Sequence, residues 1–323
     1  MSEDTKLVSK VLVLEGREQL NGRIKTFCDE NNLVGVKAHG DNVMSILRSN
    51  VDLGGIFLSE DYGGREGGGL AIGREIHALR PELPIFLRRE ASDSLEDLQA
   101  GGDHAFRAAY TVADMGKLKR VLDECIFSLV YPNALVRGIA EMTQATLASQ
   151  FKDVEIACES PYIVRDRIIY GELFSLIPLE SNWCRGYMML QTEEQPLMGF
   201  VRGDKTHVSA ERASFREINN VLGEITNMIW GAFKNRYVAY EATSTGHLTQ
   251  VPIIVNHLHR YISFGSEDPQ LCFKYTLSDR QGGQASITVW QRFVFNLNWS
   301  PDKFKENETS VEALFESGEL ELF

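Results

Sequence analysis

Four polar residues, Glu217, Asn220, Glu224 and Asn227, recur at a 3-4-3 spacing inside the longest helix-like segment of the chain, about Ala213 to Lys234. At about 100° per residue they project within about 80° of one another, so a helix presents two carboxylates and two carboxamides as one stripe. Carboxylates accept hydrogen bonds and pair with cations, and a carboxamide both donates and accepts. Beside the stripe, Phe215, Ile218, Val221, Leu222, Ile225, Met228, Ile229, Ala232 and Phe233 share an arc of about 140°, the face such a helix buries. Gly223 and Gly231 keep part of the helix surface low. A solvated helix face has the same spacing, and Glu-x-x-Asn recurs at Glu18 and Asn21. A second Asn, poorer in a helix than Ala by a few tenths of a kcal/mol, is what sets this stripe apart.

Other chemistries lack their residues. The run Gly63-Gly64-Arg65-Glu66-Gly67-Gly68-Gly69 is not followed by the Gly-Lys-Ser/Thr of a phosphate loop and reads as an ordinary loop. His257 and His259 would share one face of a strand, but a third metal ligand is missing from their vicinity. No Gly-x-Ser-x-Gly elbow supports a hydrolase triad. The five cysteines, Cys28, Cys125, Cys158, Cys184 and Cys272, are odd in number and widely spaced, which reads as reduced core thiols.

These residues need elements to carry them. At 323 residues the chain is long enough for about two domains. In the first third, short apolar runs (Val11 to Leu14, Ile56 to Leu58, Ile85 to Leu87) alternate with helical spacing (Gln19 to Glu30, Leu70 to Leu79, Met115 to Phe127). That alternation predicts a parallel sheet covered on both faces, an α/β doubly wound domain. Pro132 marks a boundary, giving domains over 1–130 and 131–300 and an acidic tail over 301–323. The second half begins with a helix through Leu135, Ile139, Met142 and Leu147. Strands follow over Ile156 to Ile163, Ile168 to Leu179 and Tyr187 to Gln191, then the long helix, then strands over Val251 to Val255, Leu271 to Leu277 and Ser286 to Asn296. The Asp279 to Gly283 turn makes the last two an antiparallel hairpin, and this half α+β. The tail carries Val311, Leu314 and Phe315 at helical spacing and reads as a fraying helix.

Composition narrows the class. Apolar residues are 43% and charged residues 24%, and the net charge of −12 disfavours a nucleic-acid or anionic-membrane binder. No window of about 18 uncharged apolar residues occurs, and the N-terminus lacks a signal-peptide core, which predicts a cytoplasmic protein.

The segment Asn220-Val-Leu-Gly-Glu224-Ile-Thr-Asn227-Met-Ile-Trp-Gly231, followed by Val251-Pro252-Ile-Ile-Val, resembles the CheX/CheC/FliY family of chemotaxis phosphatases. The resemblance spans roughly Asn133 to Trp299. Glu224, Asn227 and Pro252 match the family pattern, whereas Asn220 stands where the family has an acid or Ser. It implies a substrate supplied in trans: aspartyl phosphate on the receiver domain of a partner response regulator, which brings its own Mg²⁺ and Lys. Asn227 would order the attacking water and Glu224 would pair with the partner's Lys, with Glu217, Asn220 and Pro252 at the docking surface.

The first domain resembles a response-regulator receiver, of flavodoxin-like fold, over about Ser9 to Phe127. Lys10-Val-Leu-Val-Leu-Glu15-Gly16 and Arg80-Pro-Glu-Leu-Pro84-Ile-Phe-Leu carry the likeness, and Ala100-Gly-Gly-Asp103 resembles the approach to a fifth strand. The chemistry is degenerate. Glu15 is the one acid retained, Gly16 takes the place of a second, Ser59 stands for the phosphoacceptor Asp, Arg89 for the Ser or Thr, and Ala108 for the Lys. One firm carboxylate is too few for Mg²⁺, so no cofactor is expected in this chain, although Glu60 and Asp61 lie beside the vacant position.

Together these features predict a two-component, chemotaxis-type signalling protein that hydrolyses aspartyl phosphate on a separate regulator. A homodimer is compatible with that reading. The alternative is a non-catalytic adaptor that binds regulators through both domains, for which the substitution at Asn220 and the bulky Trp230 beside the motif leave room. A second pair, Glu141 and Gln144 on the preceding helix, reads as solvated.

Overall fold

The computed structural model describes residues 7–38, 43–48, 52–64, 67–238, 253–265 and 268–306. Its first half alternates strands and helices as expected: β1 (Val8–Leu14), α1 (Glu18–Glu30), β2 (Leu33–Lys37), α2 (Val43–Arg48), β3 (Gly55–Ser59), α3 (Gly68–Leu79), β4 (Ile85–Arg88), α4 (Glu96–Ala100), β5 (Ala108–Tyr110) and α5 (Leu118–Cys125). β1 lies between β2 and β3, β3 pairs β4, and β4 pairs β5, every pairing parallel. The order β2-β1-β3-β4-β5 is compatible with a doubly wound sheet. β3 and β4 are buried at every position, because helices on both faces leave neither side to water.

The second half runs α6 (Asn133–Gln150), β6 (Val154–Cys158), β7 (Tyr162–Val164), β8 (Leu173–Glu180), β9 (Cys184–Thr192), α7 (Glu194–Arg202), α8 (Phe215–Tyr237), β10 (Ile254–Asn256), β11 (Tyr261–Ser263), β12 (Gln270–Asp279) and β13 (Ile287–Trp299). β7, β12, β13, β9 and β8 follow one another across the sheet, all antiparallel, with β6 sharing β12's edge with β7. The β12–β13 hairpin forms around the expected turn, where Asp279 accepts from the backbone N–H groups of Gln281 and Gly283. Helices α6 and α8 pack together against one face of this sheet.

The two halves share a sheet. Val8 and Ser9 of β1 pair in parallel with Tyr162 and Ile163 of β7, and the Ser9 hydroxyl donates to the Ile163 carbonyl at 2.7 Å. One apolar core runs from Val11 and Phe57 in the first half through Leu135, Ile225 and Phe293 in the second. Polar groups rivet the seam as well. Asp166, fully buried, accepts from the Leu53 N–H at 3.3 Å, faces Arg80 at 3.7 Å and Arg292 at 2.8 Å, and takes the Tyr170 hydroxyl. The boundary near residue 130 is thus a change of topology within a continuous sheet.

Several expectations shift. Ile156 to Ile163 is two strands, since Pro161 cannot donate to the ladder and Tyr162 restarts it. Ile168 makes a single bridge to Tyr261 before β8 begins at Leu173. Between them Gly171 sits at φ +65°, where a Cβ would lie 2.0 Å from the Thr192 carbonyl oxygen. His257 and His259 stand in the exposed turn between β10 and β11, not on a strand. Pro252 and the tail beyond 306 lie outside the described residues. Among the described residues, no helix is long and apolar enough to cross a membrane.

Candidate functional site

Helix α8 starts at Ser214, whose hydroxyl accepts from the Glu217 N–H at 3.4 Å, a capping arrangement that satisfies one of the free amides of the first turn. Ile218, Val221, Leu222, Ile225, Ile229 and Phe233 are buried along one face, the i, i+3, i+4 pattern of a helix lying on a sheet. Thr226 fixes the helix against β8: its hydroxyl donates to the Leu222 carbonyl at 2.7 Å and meets the Ser175 hydroxyl. The C-terminal end is held against α6, where the Tyr237 hydroxyl donates to the Ala134 carbonyl at 3.2 Å. That approach requires Gly138, because a Cβ there would fall 1.9 Å from the Tyr237 oxygen. Phe215 departs from the projected buried face; as the first helical residue it is 61% exposed.

This packing turns the polar stripe outward. Asn220, Glu224 and Asn227 are exposed and Glu217 is half-buried. Among the described residues no hydrogen bond or ion pair engages the side chains of Glu224 or Asn227. One turn apart on a helix fixed at both ends, a carboxylate and a carboxamide are therefore held in defined relative positions with their polar atoms open to a partner. The pair on α6 is different. Glu141 is engaged by Arg236 at 3.0 Å and Arg137 at 3.6 Å, and Gln144 bonds the Cys158 thiol.

The second cluster lies at the C-terminal ends of β1, β3 and β4, where open α/β sheets collect ligands. Ser59 pairs across the ladder with Arg88. The Arg88 guanidinium, 1% exposed, donates to Glu15 at 2.6 Å, to the Ser59 hydroxyl at 2.6 Å and to Asp61 at 2.8 Å, and it also contacts Glu90. Arg17 reinforces the ring, bonding Asp61 at 2.7 Å and Glu90 at 2.8 Å. Burial pulls the Arg88 pKa down, but Glu90, Glu15 and Asp61 more than offset it, so the group is held cationic. The Ser59 hydroxyl and Arg17 hold the Asp61 carboxyl below its usual range against the opposing effect of partial burial.

Ser59 and Glu15 thus share one site, brought together by Arg88. Arg89 and Ala108 do not join them. One residue beyond Arg88, Arg89 projects from the opposite face of the strand and binds Asp97 at 2.7 and 2.8 Å, Glu60 at 3.2 Å and the Ser94 carbonyl at 2.8 Å. Ala108 pairs with Phe86, and it is Tyr110, two residues on, that lies level with Arg88 and Ser59. Sequence reasoning missed Arg88; two adjacent arginines after an apolar run give no sign of which faces inward until the register is known. Glu15 and Asp61, the carboxylates beside Ser59 and Arg88, are both paired with the buried Arg88 guanidinium.

The Gly-rich run serves this end of the sheet sterically. Gly69, in the first turn of α3, donates its N–H to the Glu60 carbonyl at 3.0 Å, and a Cβ there would lie 1.8 Å from the Ser59 carbonyl oxygen. Helix α3 can close on β3 only because that residue has no side chain. The chain matches no protein-family model and no curated protein sequence.

Proposed function

We propose that this protein hydrolyses aspartyl phosphate on the receiver domain of a separate response regulator, through Glu224 and Asn227 of α8. The observation that carries the reading is their exposure: an acid and an amide one turn apart, unengaged among the described residues, on a helix whose other face is buried. Asn227 orders a water through its amide oxygen and NH₂ for in-line attack on phosphorus. The bond from phosphorus to the aspartyl oxygen breaks, and the products are the partner's free carboxylate and inorganic phosphate. Glu224 pairs with a lysine of the partner and sets the register of the two proteins. Asn220 and Glu217 extend the contact along the same stripe.

In this reading the first half is a receiver-like module that docks and does not itself carry phosphate. Arg88 fills the space between Glu15 and Asp61 and holds the Ser59 hydroxyl, so neither a metal nor a phosphoryl group has access to free carboxylates there. The same feature favours a second reading, an adaptor whose two halves bind regulators and whose α8 does no chemistry.

Loss of label from phosphorylated receivers, incubated with the purified full chain and Mg²⁺, separates them. The phosphatase reading expects faster loss for at least one regulator, and a decrease of about 10²-fold for Asn227→Ala. That variant keeps its thermal stability, since Asn227 is exposed and Ala is the better helix former. A regulator that binds but keeps its label points to the adaptor. If no regulator in the panel either binds or loses label, both readings fall.

A further inference from the structure

The two chain neighbours of Asn227 are each tied to a different element. Thr226, 4% exposed, has a single hydroxyl proton, which it donates to the Leu222 carbonyl at 2.7 Å, so in the close contact between the Thr226 and Ser175 hydroxyls the donor is Ser175. Ser175 belongs to β8, the terminal strand of the sheet, level with Leu190 of β9. On the other flank Gln150, the buried last residue of α6, donates its amide to the Met228 sulfur at 3.1 Å. A thioether is a weak acceptor, so the Ser175–Thr226 bond is the stronger tether. At about 100° per residue Thr226 and Met228 project about 160° apart, at the two edges of the buried face. Ser214 and Tyr237 hold the ends of α8, and these two bonds hold its middle.

Apolar contact keeps a helix on a sheet without closely fixing its rotation, because hydrophobic attraction has no direction. Hydrogen bonds do have direction, and a pair of them at opposite edges resists rotation in either sense. The lever arm makes this matter. A side-chain amide stands about 6 Å from the helix axis, so a rotation of about 10° carries it about 1 Å. A misplacement of that size costs about 10²-fold where a group must order a nucleophile. Glu224 is less exacting, since its attraction to a lysine on a flexible stem tolerates a displacement that an in-line water does not.

We propose that Ser175, Thr226 and Gln150 are positioning residues that set the rotation of α8 and with it the aim of the Asn227 amide, an inference that rests on the reaction proposed above. Loss of label from phosphorylated receivers, followed with the full chain at several regulator concentrations, tests it. Thr226→Val keeps the side-chain shape and removes the hydroxyl, and Ser175→Ala removes the donor. Each should lower kcat by about tenfold while the half-saturating regulator concentration stays unchanged. Thr226→Val combined with Gln150→Met should approach the loss expected of Asn227→Ala. Thr226→Ser, which keeps the hydroxyl, should retain the wild-type rate. The side-chain amide resonances of Asn227 in selectively labelled protein give a readout free of activity: they should move in Ser175→Ala and Thr226→Val and stay in place in Thr226→Ser. An active wild type with kcat unchanged in Ser175→Ala and Thr226→Val overturns the positioning role and leaves the reaction standing. An equal loss in Thr226→Ser, or a loss that follows a lowered melting temperature or a raised half-saturating concentration, assigns these residues to folding or docking and overturns it as well. A wild type that speeds loss from no regulator removes the reaction and this inference together.

Discussion

Replacing Asp166 with Asn tests whether the seam is a structural rivet. The side chain keeps its shape and one carbonyl oxygen but loses its charge. Asp166 and Arg292 are each fully buried and 2.8 Å apart, an ion pair whose N–H is not aimed squarely at the oxygen; Arg80, 1% exposed, lies 3.7 Å away. Burial alone would depress the Arg292 pKa, but Asp166 and then Tyr170 raise it above its usual value. An arginine guanidinium does not deprotonate in a protein, so the charge stays when its partner is neutralised. Removing one member of a buried pair costs about 3–5 kcal/mol, because the remaining charge is left without compensation. The imperfect alignment and the Tyr170 ring, 4.2 Å from the guanidinium carbon, favour the lower end of that range. Against a total stability of about 5–15 kcal/mol, that is a large fraction. Urea denaturation reads it, with two probes. All four tryptophans, Trp183, Trp230, Trp290 and Trp299, belong to the second half, so their fluorescence follows that half, whereas far-ultraviolet circular dichroism follows both. The wild type should give coincident transitions, since β1–β7 and Asp166 tie the halves together. Asp166→Asn should lower the unfolding free energy, midpoint times m-value, by the stated amount at an m-value no larger than that of the wild type. A loss under about 1 kcal/mol would refute the rivet, and separate wild-type transitions would refute the shared core.

Acid and thiol chemistry give two further tests. Asp61 is held below its usual 3.8 by Ser59 and Arg17, and Glu159 below 4.5 by Lys274 and Lys10 although burial opposes the shift. A carboxyl with a depressed folded-state pKa stabilises the fold fully above its unfolded value, and that contribution disappears as pH falls through the folded value. Thermal melting should thus hold steady from neutral pH to about 5 and decline below about 4, and a melting temperature unchanged at pH 3 would contradict it. Cys158 is the half-buried cysteine, whereas the other four are buried; burial pushes Cys28 and Cys272 up to about 12. A thiol-specific reagent at pH 8 should label Cys158 first, with Cys28 and Cys272 reacting only on unfolding, and rapid labelling of either in the native protein would show their surroundings to be open.

Long periodic segments and apolar runs flanked by turn residues were legible in the sequence. The α8 pattern, the α6 pattern, β1, β3, β4 and the β12–β13 hairpin all follow from spacing alone. Three kinds of feature were not. Edge strand β2 buries only Leu33 among its five residues, so it has no apolar run to announce it. Helix α7 spans only nine residues and carries a Pro in its first turn, a breaker in any reading by composition. The seam depends on pairing Val8 and Ser9 with Tyr162 and Ile163, a contact between segments about 150 residues apart for which no local signal exists. The receiver-like cluster failed at the finest level. The resemblance to the receiver family placed Arg89 at this site, but a one-residue slip exchanges the faces of a strand, and Arg88 turns inward.

The α8 stripe itself constrains what the proposed chemistry must import. Glu224 and Asn227 are the tenth and thirteenth residues of a 23-residue helix, too far from either end for its dipole to act on them. The cations of the same helix are also remote: Lys234 lies about 10 Å along the axis from Asn227, and Arg216 about 16 Å, at 1.5 Å per residue. A phosphoryl group in flight carries negative charge on its equatorial oxygens, and an acid one turn from the amide adds to the repulsion. In the proposed reaction the stripe orders a water and fixes a register, but α8 itself brings no cation to the transition state. That charge must be met by cations arriving with the substrate. A receiver domain carrying its own metal ion and lysine supplies them, and pairing that lysine with Glu224 removes the repulsion that would otherwise oppose approach. A free acyl phosphate brings neither, so the proposed reaction requires a protein surface as its substrate and not the small molecule its reactive group resembles.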